Sequence, residues 1–542
     1  MRVRRQSEHK PFLFPCCLTT LALFISGIAS AQQLPSLSDP AAPGSGGGVA
    51  QGGAAQPGAA RGLTIVPSLR VTETVTDNVL LAKSSEARSD YITQITPSLS
   101  VASKSGAVQG NLQAMFNGAF YGEDQSRNRG FLTMRGAGRV EAWKQHGFID
   151  LNASVSRETI SAFGPRPGDS VTGTGNLSEV RNFVVAPYWV QRFGVNGNAE
   201  LRYLFSETDS STGAFKQSTR NVVSFNIGDP AAFGNLGWSV VGSDSVMSTS
   251  GRRDLKQQSV RFAGLARPGA SLQLRLIGGV ESNNIRTVDT QQSSIYGLGA
   301  DWTLSQATKV TALWEERYFG PGVLISADHR SPLYALNLRY SRDVMSTSQA
   351  LAAISEVDTY ELLMSLAKNS HPDAVERDAF VRQYIADRGL PENIGISQSV
   401  LSNGLFLDKR FRVGLSLLGA RNTLVFSASH SERDRQTEQS FSVFGGDFQN
   451  SNRIREVSGS VTLSHTINPR LSANIGLTLS NSHRDAGDAT LAQTSRMRRV
   501  NAGVVSKLSQ RANGTLSFRS LKGDGATNYS ENAAIATVAI TF

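Results

Sequence analysis

From Leu63 onward the chain is a succession of segments about ten residues long in which apolar and polar side chains alternate with a period of two. "LTIVPSLRV" sets Leu63, Ile65, Pro67, Leu69 and Val71 against Thr64, Ser68 and Arg70. "FIDLNASVS" sets Ile149, Leu151, Ala153 and Val155 against Asp150, Asn152, Ser154 and Ser156. "RLSANIGLTLS" sets Leu471, Ala473, Ile475, Leu477 and Leu479 against Ser472, Asn474, Gly476, Thr478 and Ser480. Successive side chains of a strand point to opposite faces, so each segment wants one apolar and one polar surrounding. A soluble sandwich would satisfy any one of them.

The set is more restrictive. About twenty such segments occur, each long enough to cross a bilayer at the tilt of a barrel strand. Tight turns ("KSGAV", "KQHG", "SQATK", "GARN", "TINPR", "SQRAN") take turns with longer polar loops such as "GEDQSRNR" and "RDRQTEQSFSVFGGDFQNSNRIR". Short turns at one end and long loops at the other is the pattern of an outer-membrane barrel, with the short side periplasmic. Past the N-terminal segment no run of about eighteen apolar residues occurs, which excludes helical spans. The sequence therefore predicts an all-β, transmembrane, antiparallel barrel over 63–542.

The N-terminus predicts export. Arg2, Arg4, Arg5 and Lys10 precede the apolar run "CCLTTLALFISGI", and Ala29-Ser30-Ala31 offers a small-residue cleavage site, with Ala29 and Ala31 as its key positions. The rival, a membrane anchor, is too short and is followed by Pro/Gly-rich sequence. Residues 1–31 read as a signal peptide. Residues 32–62, almost without packable side chains, read as a disordered Pro/Gly/Ala-rich periplasmic linker. Both cysteines, Cys16 and Cys17, fall in the signal, so the mature chain has no disulfide, cysteine-ligated metal or thiol nucleophile. The formal charge of +10 includes four Lys/Arg and one Glu of the signal, leaving a mature chain near +7. No dense basic run suggests nucleic acid.

The terminal "AAIATVAITF" places Val538, Ile540 and Phe542 on one face. An apolar last strand is safe where the sheet closes and that face meets lipid. The stretch resembles the C-terminal signal read by bacterial barrel-assembly machinery, although Thr537 and Ile535 depart from its usual residues. Aromatics at segment ends (Tyr121, Trp143, Tyr188, Trp189, Tyr318, Phe319) are expected to form the interfacial girdles.

One region breaks the pattern. Within 344–394, "DAVERDAFVRQYIADRGLP" has Val375, Ala379, Phe380 and Tyr384 at helical spacing, stopped by Gly389 and Pro391. About fourteen strands precede it, which places the insertion on the periplasmic side. There it could lie at the barrel mouth, fold into the lumen or contact a partner; the mouth is the expectation. About seven strands follow residue 408. Because bacterial barrels have even strand numbers, "ISQSVLSNGLF" (395–405), turning at Asp408-Lys409, is needed to give 22. Twenty is the alternative if the first strand fails.

The alternation sends Arg70, Arg135, Arg139, Arg202, Arg275, Arg339, Arg412 and Arg519 to the polar, lumen-facing side, with Glu141, Asp150, Glu200, Asp301 and Glu315. Guanidinium groups stay charged and grip carboxylate or phosphate, so a surplus of them would favour anionic solutes. Pairing into cross-strand ladders is the competing outcome. The histidines (His146, His329, His371, His430, His465, His483) are scattered, with His329 and His430 expected near the outer rim. No nucleophile, base or metal motif can be assembled. Neither an enzyme nor a cofactor is expected.

Five stretches, "VTETVTDNVLL", "DYITQITPSLSV", "ERYFGPGVLISADHRSPLYALNLRYSRDV", "VERDAFVRQYIADRGLP" and "RFRVGLSLLGARNTLVFSAS", resemble the outer-membrane β-barrel family associated with the PEP-CTERM/exosortase system. The likeness runs from about Leu63 to the C-terminus and includes the helical interruption. It implies a Gram-negative outer membrane and a part in moving exopolysaccharide or sorted proteins outward. It carries no catalytic residues. The expected function is a pore or export conduit for anionic exopolysaccharide; the alternative is a non-conducting structural or anchoring barrel that presents its loops and helix to partners.

Overall fold

The computed structural model describes residues 63–542 except 105, 195–196, 213–216, 348, 351–358, 369, 392–403, 438–446, 448–451 and 486–491. The expected signal peptide with Ala29 and Ala31, the expected linker 32–62 and most of the 395–405 segment lie outside the described residues.

Twenty-two strands, β1 (Leu63–Thr76) to β22 (Tyr529–Thr541), each pair antiparallel with their chain neighbours. β1 pairs with β22 from Ser68↔Thr541 to Thr76↔Ala533, which closes the sheet and leaves no edge. Exposure is inverted relative to a soluble protein. On β19 (Leu471–Arg484) the outward Ile475 and Leu479 are 54% and 46% exposed, while the inward Ser480 and Ser482 are 6% and 0% exposed. The apolar face is dressed for lipid and the polar face lines the lumen. Hydroxyls meet across that inner wall, as in Ser68–Ser98 at 2.5 Å, Thr72–Thr537 at 3.0 Å and Ser429–Ser458 at 2.7 Å. Among the described residues no helix is long and apolar enough to cross a membrane.

Ten connections, such as 144–146, 234–235 and 469–470, are short and share one rim, which also holds Leu63 and Phe542. The opposite rim carries the longer ones, among them 77–89, 160–176, 346–405 and 436–452. One exception sits there: β13 (Thr308–Arg317) and β14 (Gly320–Arg330) join through Tyr318 and Phe319 alone. Gly320 permits it with φ +86°.

That hairpin corrects the sequence reading. Fifteen strands precede residue 346, not fourteen, so β15 (Tyr334–Met345) ends on the long-loop rim and the insertion does not leave from the short-turn rim, where it was expected. No strand is needed in 395–405. β16 (Phe406–Leu418) runs straight through Asp408 and Lys409, where a turn was expected. The total of 22 stands, with its extra strand in a different place.

The aromatics also divide. Trp143 and Trp189 lie on the outer surface at the short-turn rim, stacked edge to face at 4.9 Å. Tyr121 and Tyr188 instead point into the lumen, and Phe319 is buried at the long-loop rim. His329, near the end of β14, bonds Thr308 and so belongs to the short-turn rim rather than the outer one.

Candidate functional site

The lumen is obstructed from both ends. The inner obstruction is the insertion after β15. Its helix α1 (Thr359–Leu366) and helix α2 (Ala374–Arg388) stand inside the wall, although the chain enters from the long-loop rim. α2 starts on Asp373, whose carboxylate accepts the Glu376 amide at 3.0 Å. It ends at Gly389, held at φ +57°.

Leu362, Leu363, Ala367, Val381, Ile385 and Leu390 form one buried cluster with Ala335 of β15 and Val425 of β17 (Asn422–Arg435). Ala335 and Val425 are inward residues next to short turns, so the helices dock at the short-turn end of the lumen. The packing stripe is Val381/Ile385, and Phe380, expected within it, is exposed and stacks on His371 at 4.1 Å. Polar ties complete the docking. Tyr384 Oη lies 2.7 Å from Thr423 Oγ1, Lys507 Nζ is 2.5 Å from Asp387 Oδ2, and Ser464 Oγ donates to the Arg388 carbonyl at 2.8 Å.

The outer obstruction is the loop 160–176, between β5 (Gly147–Thr159) and β6 (Leu177–Arg192). It reaches the wall formed by β18 (Arg453–Asn468), β19 and β21 (Ala512–Asp524). Arg166 Nη1 pairs with Glu456 Oε1 at 2.7 Å, and its other donors reach Ser480 and Ser482. Asp169 takes Arg519 Nη1 at 2.7 Å, and Arg519 Nη2 also grips Glu531 Oε1 at 2.6 Å. The Arg519 guanidinium holds the buried Asp169 carboxyl below the usual carboxylate range against the opposing pull of burial. Asp447, in the β17–β18 connection, accepts from Ser161 Oγ and the Ala162 amide. Burial raises its carboxyl above the usual range.

All eight arginines singled out from the alternation lie on the inward face, yet they divide by environment. Arg139 Nε and Arg202 Nη1 share Asp150 at 2.8 and 2.9 Å, and Arg202 Nε also takes Glu200 at 2.8 Å. The Arg202 guanidinium lies 3.9 Å from the Tyr188 ring centre. Arg275 pairs with Asp301 at 2.9 Å, and Arg519 with Glu531 and Asp169 as above. Arg339 and Arg412 face each other across β15 and β16. Arg70 on β1 and Arg135 on β4 (Arg129–Trp143) are exposed to the lumen and make no ion pair among the described residues. Glu141 accepts the Gln145 amide in its turn. Glu315 is shared by Arg261 and Arg317, the latter also paired with Glu281 at 2.7 Å.

Arg135 faces the insertion. β4 lies eleven strands round the wall from β15, and the Arg135 charge acts on Glu361 in the first turn of α1. Glu361 opens to lumenal water but is walled in by protein. That enclosure holds its carboxyl above the usual range, with Arg135 and Arg382 opposing the rise and Asp378 adding to it. A charge-separated gap therefore remains between helix and wall.

Sequence reasoning missed Arg166, Arg261, Arg317, Arg410 and Arg433. The strand residues among them obey the same alternation and could have been found from it. Arg166 lies in the aperiodic "GPRPGD", and only the folded loop brings it to Glu456. Among the described residues no cluster of three His, Cys, Asp or Glu could hold a metal ion.

No family model matches the chain, and no curated protein matches it. Solved structures do. The FrpB iron transporter from Neisseria meningitidis (F5-1 variant) aligns at 10% identity over 88% of this chain and 82% of its own, with a TM-score of 0.44. The outer-membrane protein OpdK from Pseudomonas aeruginosa aligns at 9% identity over 88% and 98%, with a TM-score of 0.33. The siderophore receptor PirA from Acinetobacter baumannii aligns at 9% identity over 88% and 80%, with a TM-score of 0.42. The function is argued from the lumen itself.

Proposed function

We propose that this barrel is a gated outer-membrane conduit for anionic, hydroxyl-rich polymer, held closed here by two inward-folded segments. The observation that carries this reading is the charge-separated gap: Arg70 and Arg135, free of ion pairs among the described residues, stand on a wall of Ser, Thr and Gln, and Arg135 faces Glu361 of the helices.

Dimensions support it. Twenty-two strands spaced about 4.8 Å apart and tilted by about 40° make a circular wall roughly 44 Å across at the backbone. Two helices, each about 10–12 Å wide with side chains, cover only part of that width. They narrow the lumen without filling it. Unpaired guanidinium groups in a restricted aqueous passage raise the local concentration of anions, and hydroxyl and amide side chains exchange hydrogen bonds with sugar. The exosortase and exopolysaccharide setting comes from the sequence resemblance.

A second reading has its own observation. The ion pairs of Arg139, Arg202, Arg275 and Arg519, with helices in the lumen, suit a non-conducting structural barrel that presents loops to partners.

Conductance in planar bilayers separates the two. The wild type is expected to conduct weakly, and a variant with 346–404 replaced by a short Gly/Ser loop is expected to conduct strongly with anion selectivity. Arg70→Ala with Arg135→Ala should then lower that selectivity. A folded deletion variant that stays silent would reject the conduit and leave the structural reading.

A further inference from the structure

The outer surface of the barrel carries a charge cluster that the lumen does not explain. β20 (Gln493–Lys507) alternates so that Met497, Arg499 and Val505 face inward while Arg496, Arg498, Val500 and Val504 face outward. On β21, Lys522 faces outward and is exposed. Arg498 sits directly opposite Lys522, and Arg496 lies one outward position further along. Opposed Cβ atoms are about 5 Å apart and successive outward positions about 7 Å apart, so three cations share one small patch.

The height of the patch is fixed by its neighbours. Arg498 is registered with Leu479 and Arg496 with Asn481 on β19. The outward residues of β19 change there from Leu477 and Leu479 to Asn481 and His483. On β21 they change from Leu516 and Phe518 to Ser520 and Lys522, and on β22 from Ala534 to Asn532 and Ser530. The cluster marks the line where the apolar belt ends, towards the long-loop rim. That is headgroup level.

Among the described residues its partners are missing. The adjoining outward cations are matched: Lys409 with Glu432 and Asp434, Arg453 with Asp434, and Arg455 with Glu432 and Asp485. Arg496, Arg498 and Lys522 make no ion pair among the described residues. Asp524, opposite Arg496, is the one carboxylate registered with the patch. Like charges directly opposed across a sheet destabilise it, more so beside hydrocarbon, unless an anion lies between them. Two guanidinium groups and an ammonium offer forked and point donors suited to phosphate. Their long stems can lie along the belt while the heads reach the interface.

We propose that Arg496, Arg498 and Lys522 bind the phosphate of an outer-leaflet glycolipid headgroup. This rests on the outer-membrane reading with the long loops outside.

Native mass spectrometry of the detergent-purified, full-length barrel tests it, with bisphosphorylated lipid A and its dephosphorylated form as probes. The wild type should retain the phosphorylated lipid at concentrations at least tenfold below those needed for the dephosphorylated one. Arg496→Ser with Arg498→Ser and Lys522→Ser should erase that difference. Arg192→Ser with Arg470→Ser and Arg511→Ser, at the opposite rim, should keep it.

Equal retention by the first triple variant, an equal loss in the rim control, or displacement by inorganic phosphate alone would overturn the site. Orientation is read separately by Ala526→Cys on whole cells, since the mature chain has no other cysteine. Labelling by an impermeant maleimide is expected. A folded barrel left unlabelled would refute the orientation, whereas labelling with loss of phosphate-dependent retention refutes the lipid site alone.

Discussion

Replacing Gly389 by alanine isolates the docking of the lumenal helices from the integrity of the barrel. Gly389 holds φ at +57°, a conformation that costs an L-residue about 1 kcal/mol or more. A Cβ built there would collide with the Asn474 amide and lie 2.7 Å from Val505 Cγ2. The amide can swing aside. Val505 cannot, because it is β-branched and only 2% exposed, so overpacking adds roughly 1–3 kcal/mol. The combined penalty, roughly 2–4 kcal/mol, falls where α2 is tied down by Asp387–Lys507 and by the Arg388 carbonyl. At 1.4 kcal/mol per decade this shifts the docked-to-released ratio by about a hundredfold. The strand ladders lose nothing. Amide hydrogen exchange of the refolded protein should therefore accelerate by about two orders of magnitude over 374–390 and stay unchanged over β18–β22. Unchanged exchange in the helix would show that α2 is not held by this corner, and acceleration throughout the barrel would show that the helices are part of one cooperative unit.

Three further outcomes are expected. Arg166→Met leaves Glu456 buried without its cation, a change that typically costs 3–5 kcal/mol, so the 160–176 loop should become protease-sensitive. Adding Glu456→Met should restore most of the protection, and an additive double variant would reject the lock. Glu361 titrates above the usual range because the docked state prefers its protonated form; docking is therefore strongest below the ordinary glutamate value and weakens as pH rises through the raised one. Conductance should then rise across that window, and Glu361→Gln should flatten the profile; a Gln variant with the same pH response would exclude this carboxyl. Val538, Ile540 and Phe542 face outward at the closing seam, and the Phe542 amide donates to the Pro67 carbonyl at 3.0 Å. Phe542→Ser should cut the folded barrel recovered from cells several-fold while leaving its melting temperature within a few degrees. A matching loss of melting temperature would make the residue structural rather than an assembly signal.

What the sequence revealed and what it concealed follow one physical division. Period-two alternation reports which medium each face meets, and every one of the eight arginines taken from it does face the lumen. Turn chemistry is a weaker signal. The Tyr318-Phe319 hairpin has no Gly, Asn or Asp between its strands, only Gly320 just beyond, so two aromatics mark a segment end there but no turn residue does. A single unseen turn reverses the side of everything after it. The expected periplasmic placement of the insertion follows from that, and a strand at 395–405, which the closed 22-stranded sheet does not need, then makes the total even. Two errors of parity cancelled in the count but not in the topology.

Pairing was less legible still. Asp150, shared by Arg139 and Arg202, is within reach of cross-strand logic because its partners lie on neighbouring or nearby strands. Arg166–Glu456 and Asp169–Arg519 join positions some three hundred residues apart through a loop with no periodicity. Such contacts are consequences of closure. Only after β22 meets β1 does a loop from β5 face the β18–β21 wall. The same reasoning separates the two kinds of charge in this barrel. A lumenal arginine can borrow a carboxylate from any segment folded inward, so alternation alone never tells whether it is free. An outward cation at the lipid border has its strand neighbours, the adjoining loop and the bilayer to pair with. For Arg496, Arg498 and Lys522 the register supplies one carboxylate for three charges, which makes the bilayer the place to look for the rest.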